Sequence, residues 1–520
     1  MKKFVLLCSV LFAAAFAANI VLPVRSTYAA TQVLAATQVL KVCNWEDYID
    51  EAVCADFEAY MAEKGQTVRV EYSTFGTNEN LYNDLKIANG YLYDVVCPSD
   101  YMIEKMAKEG MLAKISLAED GNYASYVSPY ISGIFEDSIT WTNGGAQESL
   151  SDYAVGYMWG TMGFTYNPAF SDSIEEDMKS WLSIWDEAYS KKVTIKDSVR
   201  DSYFVGIAYA CRDELKELKD QYAAGEIDRE AYNEALTEIF NRTDEETVAN
   251  VEEGLKTLKK NLFGFEVDEG KNDMVTGKIS VNFAWSGDAV YAMDEAEADG
   301  VELSYSVPEE GSNIWFDGWC IPASAQEKEL AKEFIEFLSL PEIAVRNMEY
   351  IGYTSVIAGD MPFSIEYCEY DKNDEPIPGS EYTVEYTGVL DWLTQYYELE
   401  TEETEGCTAA DLSYFFGKDA VLYTDTVGRQ FSAQYPTEDI IDRCVVMHYF
   451  DDETNLRINE MWENVKGETL PVWAIVVIVA VVLLAVAAVL VYRFRDKIFK
   501  GKNGGSGKKK NLKVVEKKEV

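Results

Sequence analysis

Residues 38–99 read QVLKVCNWEDYIDEAVCADFEAYMAEKGQTVRVEYSTFGTNENLYNDLKIANGYLYDVVCPS. QVLKVCNW has the character of a strand. Asp50 to Gly65 shows helical spacing of its apolar residues and closes on a glycine. QTVRVEYSTF is a second strand, TNENLYNDLKIANG a helix opening on Thr77 or Asn78, and YLYDVVCPS a buried strand. A β-α-β-α-β order predicts a parallel sheet with right-handed crossovers. Ligands of such sheets sit in the crevice beyond the C-terminal strand ends. Here those ends carry NWEDY and PSDY, which puts Trp45, Asp47, Tyr48, Ser99 and Tyr101 on one rim.

The pattern resumes downstream. YAVGYMWGTMGFTYNP (153–168) is strand-rich, and KVTIKDSVRDSYFVGIAYA is a strand leading into a helix with Asp197, Arg200 and Asp201 at the junction. Residues 212–262 read as two or three charged helices. GKISVNFAWSGDAVYAM is strand then helix, with Trp285 and Asp288 at the turn. In NIWFDGWCIP (313–322), strand alternation puts Trp315, Asp317 and Trp319 on one face. A carboxylate among apolar rings is expensive to bury without a partner. Two helices follow, with Tyr353 in the turn after them, and the last helices are expected between Thr437 and Val465.

The ends differ from the middle of the 520-residue chain. Residues 1–30 have two lysines, an apolar run and small residues beyond it, the pattern of a secretory signal peptide. Residues 470–492 carry no charge over 23 positions, enough for one transmembrane helix. Residues 493–520 hold eleven basic and three acidic side chains, the profile of a cytoplasmic tail. The part between is expected outside the cell, anchored to the membrane. With the tail and the three basic residues of the signal set aside, 31 basic and 87 acidic residues remain, a net −56. That excludes nucleic acid as a partner and suits a cationic ligand.

Eight cysteines fall in the exported part, too widely and irregularly spaced for a zinc pair or a compact disulfide framework. Those inside apolar runs, Cys43 and Cys97, read as buried thiols. No metal or cofactor is expected. The single histidine, His448, leaves little room for a Ser-His-Asp site, and no GxSxG or HExxH occurs. An enzyme is therefore not expected, although abundant carboxylates keep a glycosidase conceivable.

NWEDYI, YDVVCPSDYMIEKMAKEGML, YMWGTMGFTYN, KDSVRD, AWSGDAVY, IWFDGWCIP and IGYTS occur in an order that resembles the spermidine/putrescine-binding proteins of ABC importers, the PotD-like family. The resemblance covers most of residues 41–467, with gaps. It implies an α/β, two-lobed type II periplasmic-binding-protein fold, plus the one C-terminal transmembrane helix. The lobes would comprise 31–160 with 317–362, and 161–316 with 363–467. It also implies a polyamine ligand (spermidine or putrescine) and ABC permease and ATPase subunits as partners.

By the same resemblance the ligand-binding residues are Trp45, Tyr48, Ser99, Tyr101, Asp201, Trp285, Asp288, Trp315, Asp317 and Tyr353; Asp47 joins them by its place on the rim. One acid of the family pattern is missing at Ser198, and a family polar position falls loosely on His448. Insertions at about 131–150, 212–245 and 365–410 lie outside the pattern. The same fold binding another organic cation, or sensing one as a receptor module, remains the alternative.

Overall fold

The computed structural model describes residues 37–368, 377–424 and 429–467. The expected signal peptide (1–30), transmembrane helix (470–492) and basic tail (493–520) lie outside the described residues. Among the described residues no helix is long and apolar enough to cross a membrane.

β1 (Gln38–Trp45) pairs in parallel with both β2 (Val68–Phe75) and β3 (Val95–Val96). The connections are α1 (Ala52–Glu63) and α2 (Asn78–Ala88). α1 buries Val53, Phe57 and Met61, spaced four apart on one face. The third strand is shorter than its apolar run suggests. Asp94 takes the Lys41 N–H on one oxygen and the Gln326 and Glu327 N–H groups on the other, so a side chain does there what a ladder would do. α3 (Asp100–Lys108) follows β3.

The main sheet continues from β3 through Ser312–Cys320, Ala154–Tyr166, Val281–Trp285, Val193–Lys196 and Gly264–Glu266. Strand 154–166 is buried at every position and changes partners along its length. From Ala154 to Thr161 it pairs with strand 312–320, and from Met162 to Tyr166 with strand 281–285. The strands beyond it, 193–196, 264–266 and 281–285, are again mutually parallel. One sheet therefore holds two parallel groups, joined by the antiparallel strands 154–166 and 312–320.

Residues 212–262 form three helices, Arg212–Ala223, Arg229–Phe240 and Glu245–Asn261. The helices expected between Thr437 and Val465 are present, with a short strand between them. A short helix, Glu438–Ile441, gives way to Cys444–Val445, which pairs with Ser312–Asn313 before the helix Asp452–Lys466. Asn233 and Asn313 amides bind the Asp442, Cys444 and Val445 carbonyls, capturing this backbone as a strand. Phe415 stacks on Trp159 of strand 154–166 at 5.6 Å, and the Ser128 hydroxyl donates to the Phe415 carbonyl. Cys43 and Cys97 are buried unpaired thiols.

Candidate ligand-binding site

All eleven residues singled out in the sequence line one pocket. It lies beyond the C-terminal ends of both parallel groups. Trp45 ends β1, Thr77 and Glu79 follow β2, and Ser99 and Tyr101 follow β3. From the other group, Ser198 and Asp201 follow strand 193–196, Asp268 follows 264–266, and Asp288 follows 281–285.

Four of the helices that begin at this pocket place a pocket-lining acid in the first turn. These are Glu79 in α2, Asp100 in α3, Asp201 in Val199–Ala210 and Asp288 in Ser286–Ala298. The positive end of a helix dipole favours a carboxylate. The helix ends that could attract an anion are thus occupied by the chain's own acids.

Asp317 is 4% exposed. The Tyr48 hydroxyl donates to its Oδ2 at 2.7 Å, while Oδ1 is buried with no hydrogen-bond partner among the described residues. Burial pushes this carboxyl up to about 7; the Ser99 and Tyr48 hydroxyls oppose the shift and the charge of Asp201 adds to it. The pairing of strand 312–320 with 154–166 shifts register between Phe316 and Gly318, so Asp317 stands at an irregularity of the kind that re-aims a side chain. Trp315 lines the pocket beside Asp317. Trp319 does not, although alternation puts it on the same face. It packs on Tyr157 (4.9 Å) and Phe334 (5.9 Å) in the core.

Asp201 lies above its ordinary range because of burial, against the Ser198 hydroxyl and the Trp285 indole. Glu79 is also pushed up by burial and accepts the Tyr101 hydroxyl at 3.1 Å. Asn78 ties this rim together. It donates to the Ser99 and Tyr101 hydroxyls, both at 3.0 Å, and accepts the Ser99 N–H. Arg200 turns away behind Tyr101. Its guanidinium lies 4.7 Å from that ring and 3.5 Å from Phe450, and it donates to the His448 carbonyl. Met447, not the loosely matched His448, reaches the pocket.

Asp288 is different. Lys196 Nζ lies 3.0 Å from its Oδ2, and the Tyr353 hydroxyl donates to Oδ1 at 2.8 Å. Lys196 is fully buried; it also donates to the Val267 carbonyl, lies 3.4 Å from Glu266, and sits 4.2 Å over the Trp285 ring. Burial alone would lower this lysine, but Glu266 and Asp288 hold it above its ordinary range. Burial opposes ionisation of Asp288 as well, and Lys196 and Lys271 still carry it below the usual carboxylate range. Asp47 reaches Lys271 at 3.6 Å from a largely exposed position with left-handed backbone, φ 49°.

Lys271, Glu79 and Asp268 are pocket residues that motif reading passed over, as it did Lys196, which is buried behind the pocket on Asp288. Lys196 carried one signal: a lone lysine at the end of the apolar strand VTIK implies a buried counter-charge. Two glycines make room for the rings. A Cβ on Gly160 would meet the Ser286 hydroxyl and the Trp315 ring (2.7 Å), and one on Gly287 would strike the Tyr353 ring.

Residues 52–359 match the family of bacterial extracellular solute-binding proteins. The match spans more than half of the chain, and the protein belongs to that family. A spermidine/putrescine-binding periplasmic protein of Salmonella typhimurium is 28% identical over 311 residues, covering 60% of this chain and 75% of that protein. The putrescine-binding periplasmic protein PotF of Escherichia coli is 25% identical over 336 residues, covering 62% and 79%. Among solved structures, the spermidine/putrescine ABC transporter substrate-binding protein PotD from Streptococcus pneumoniae superposes with a TM-score of 0.51 at 22% identity, over 82% of this chain and 98% of that one. The likeness is one of fold: mixed α/β, resembling the two-lobed periplasmic binding proteins.

Proposed function

We propose that this protein captures a polyamine, spermidine or putrescine, outside the cell and hands it unaltered to the permease and ATPase of an ABC importer. The observation that carries the reading is Asp317: a buried carboxylate with one unpartnered oxygen, facing a pocket walled by Trp45, Trp285, Trp315 and Tyr353. A polyamine is a methylene chain bearing ammonium groups. Each ammonium over an indole face contributes roughly 0.5–2 kcal/mol. Each buried methylene contributes about 0.8 kcal/mol. The carboxylates take the ammonium charge, without which desolvation would forbid binding. Micromolar affinity needs about −8.2 kcal/mol, within reach of these contacts after the cost of association.

The two parallel groups of the sheet serve as two lobes, and the hinge lies near residues 160–162 and 316–318, where strand 154–166 changes partners. A ligand bridging Tyr48 and Asp317 on one side to Asp201 and Trp285 on the other favours the closed form through its differential affinity. The chain is held at the outer face of the membrane by residues 470–492. The names of the Salmonella typhimurium and Escherichia coli relatives support the choice of ligand.

Calorimetric titration of the protein with spermidine, putrescine and quaternary cations tests the reading, with scattering to follow compaction. Saturable polyamine binding with closure and full recovery of the polyamine is expected. Consumption of the polyamine would make the protein an enzyme. Binding of quaternary cations alone would move the ligand class.

A further inference from the structure

Asp288, Glu266, Asp268 and Asp47 stand near Lys196 and Lys271, four carboxylates against two ammoniums. Three of the four are provided for. Asp288 has Lys196 at 3.0 Å and the Tyr353 hydroxyl at 2.8 Å. Glu266 has Lys196 at 3.4 Å, and the Asn282 amide and the Gly270 N–H both at 2.9 Å. Asp47 has Lys271 at 3.6 Å and most of its side chain in water. The Asp268 side chain makes no ion pair and no hydrogen bond among the described residues. It stands at the N-cap of the helix Glu269–Val275, yet it caps no N–H there. It lines the pocket instead, half-buried.

Two tyrosines in contact link this group to Asp317. The Tyr48 hydroxyl donates to Asp317 and the Tyr353 hydroxyl to Asp288, and the two rings meet edge to face at 4.8 Å. Asp268 belongs with Asp288, whose charge it feels. We infer that Asp268 is the second cation subsite of the pocket: it takes one ammonium of an amine whose other ammonium lies on Asp317, a task closed to Asp288 by Lys196. This inference rests on the polyamine reading and names the ligand class within it, a linear amine charged at both ends. Two lysines leave two of the four negative charges unbalanced, so a second ammonium is attracted here. Asp268 accepts it without giving up a bond, whereas Asp288 would have to release Lys196 or Tyr353.

The test is calorimetric titration of the full-length protein and its variants with butylamine, putrescine and spermidine at about pH 8. That lies above the values near 6 and 7 to which burial pushes Asp268 and Asp317, and below the range in which alkyl ammoniums lose their charge. For the wild type, putrescine should bind about ten- to hundredfold more tightly than butylamine, the worth of one hydrogen bond to a charged group. In Asp268→Asn most of that advantage should be lost. Asp268→Ser, which keeps a residue suited to an N-cap, carries the same expectation should the asparagine variant not fold. In Lys196→Met/Asp288→Asn, which removes both members of the buried pair, the advantage should fall by less than in Asp268→Asn.

An Asp268→Asn that keeps the advantage of putrescine, or that weakens butylamine and putrescine equally, overturns the role of Asp268 while leaving polyamine binding intact. A larger loss in the double variant assigns the second ammonium to Asp288 and overturns it as well. A wild type that binds butylamine as tightly as putrescine has no second subsite, with the same consequence. A wild type that binds none of the three amines overturns the polyamine reading and this inference with it.

Discussion

Asp317 and Asp288 are both aspartates, both 4% exposed, and both accept a tyrosine hydroxyl, from Tyr48 and Tyr353 respectively. Their charges are managed in opposite ways. Asp288 keeps a lysine ammonium at 3.0 Å and stays ionised below its ordinary range. Among the described residues Asp317 has no cation and leaves one oxygen unpartnered, and it is pushed up to about 7 by burial. The first carboxylate is complete within the folded chain. The second is complete only when a cation arrives, so the same residue type serves structure in one place and recognition in the other.

The sharpest way to break this comparison is to neutralise each acid in turn. Asp317→Asn is expected to lose about 2–5 kcal/mol of polyamine affinity, the range for truncating one partner of a buried charged hydrogen bond. The unliganded protein should melt no lower than wild type, because a buried unpaired charge has been removed. Asp288→Asn should do the reverse and lower stability by about 3–5 kcal/mol, since it strands Lys196. Titration calorimetry and denaturant unfolding separate the two outcomes. A destabilised Asp317→Asn, or an undisturbed Asp288→Asn, would erase the distinction.

The two acids also differ in their response to pH. The folded-state value of Asp317, about 7, lies above its unfolded value, so its ionisation opposes folding. Its contribution to stability is present below the unfolded value and is lost as pH rises toward 7. Ligand binding runs the other way, because an ammonium prefers the ionised form. Affinity should fall by about tenfold per pH unit below 7, as expected for one proton taken up. Asp317→Asn should flatten this part of the profile, leaving a smaller slope from Asp201 and Glu79, which burial also raises. An equal slope in the variant would assign the titration to another group.

Smaller effects are expected from the walls. Gly160→Ala presses a methyl group against Ser286 and Trp315, and overpacking of this kind costs about 1–3 kcal/mol, read here in binding and in thermal melting. Asp47→Asn breaks a 3.6 Å contact between the exposed Asp47 and the mostly buried Lys271, and with Asp47 screened by solvent it should change stability by about 1 kcal/mol or less. A large loss of stability in Asp47→Asn would mean that the rim pair acts as a clasp and not as a surface contact.

The alternation of strands and helices over residues 38–99 was sufficient to predict a parallel sheet, and with it the rim of strand ends on which Trp45, Ser99 and Tyr101 stand. Those features are local: hydrophobic period, turn residues and chain direction are written in neighbouring positions. Where local pattern met a competing partner it misled. Asp94 shortened β3, and Trp319, on the predicted face, stayed in the core.

Which carboxylates remain available to a ligand was not legible in the chain. Lys196 and Asp288 stand 92 positions apart and meet because strands 193–196 and 281–285 pair in parallel at a particular register. Electrostatic pairing acts through a few ångströms of space and is indifferent to sequence separation. The amino-acid sequence by itself determined the fold class and brought the acids and aromatics to one edge of the sheet. Only the tertiary structure decided which acids had already been answered by a lysine and which were left for a cation from outside.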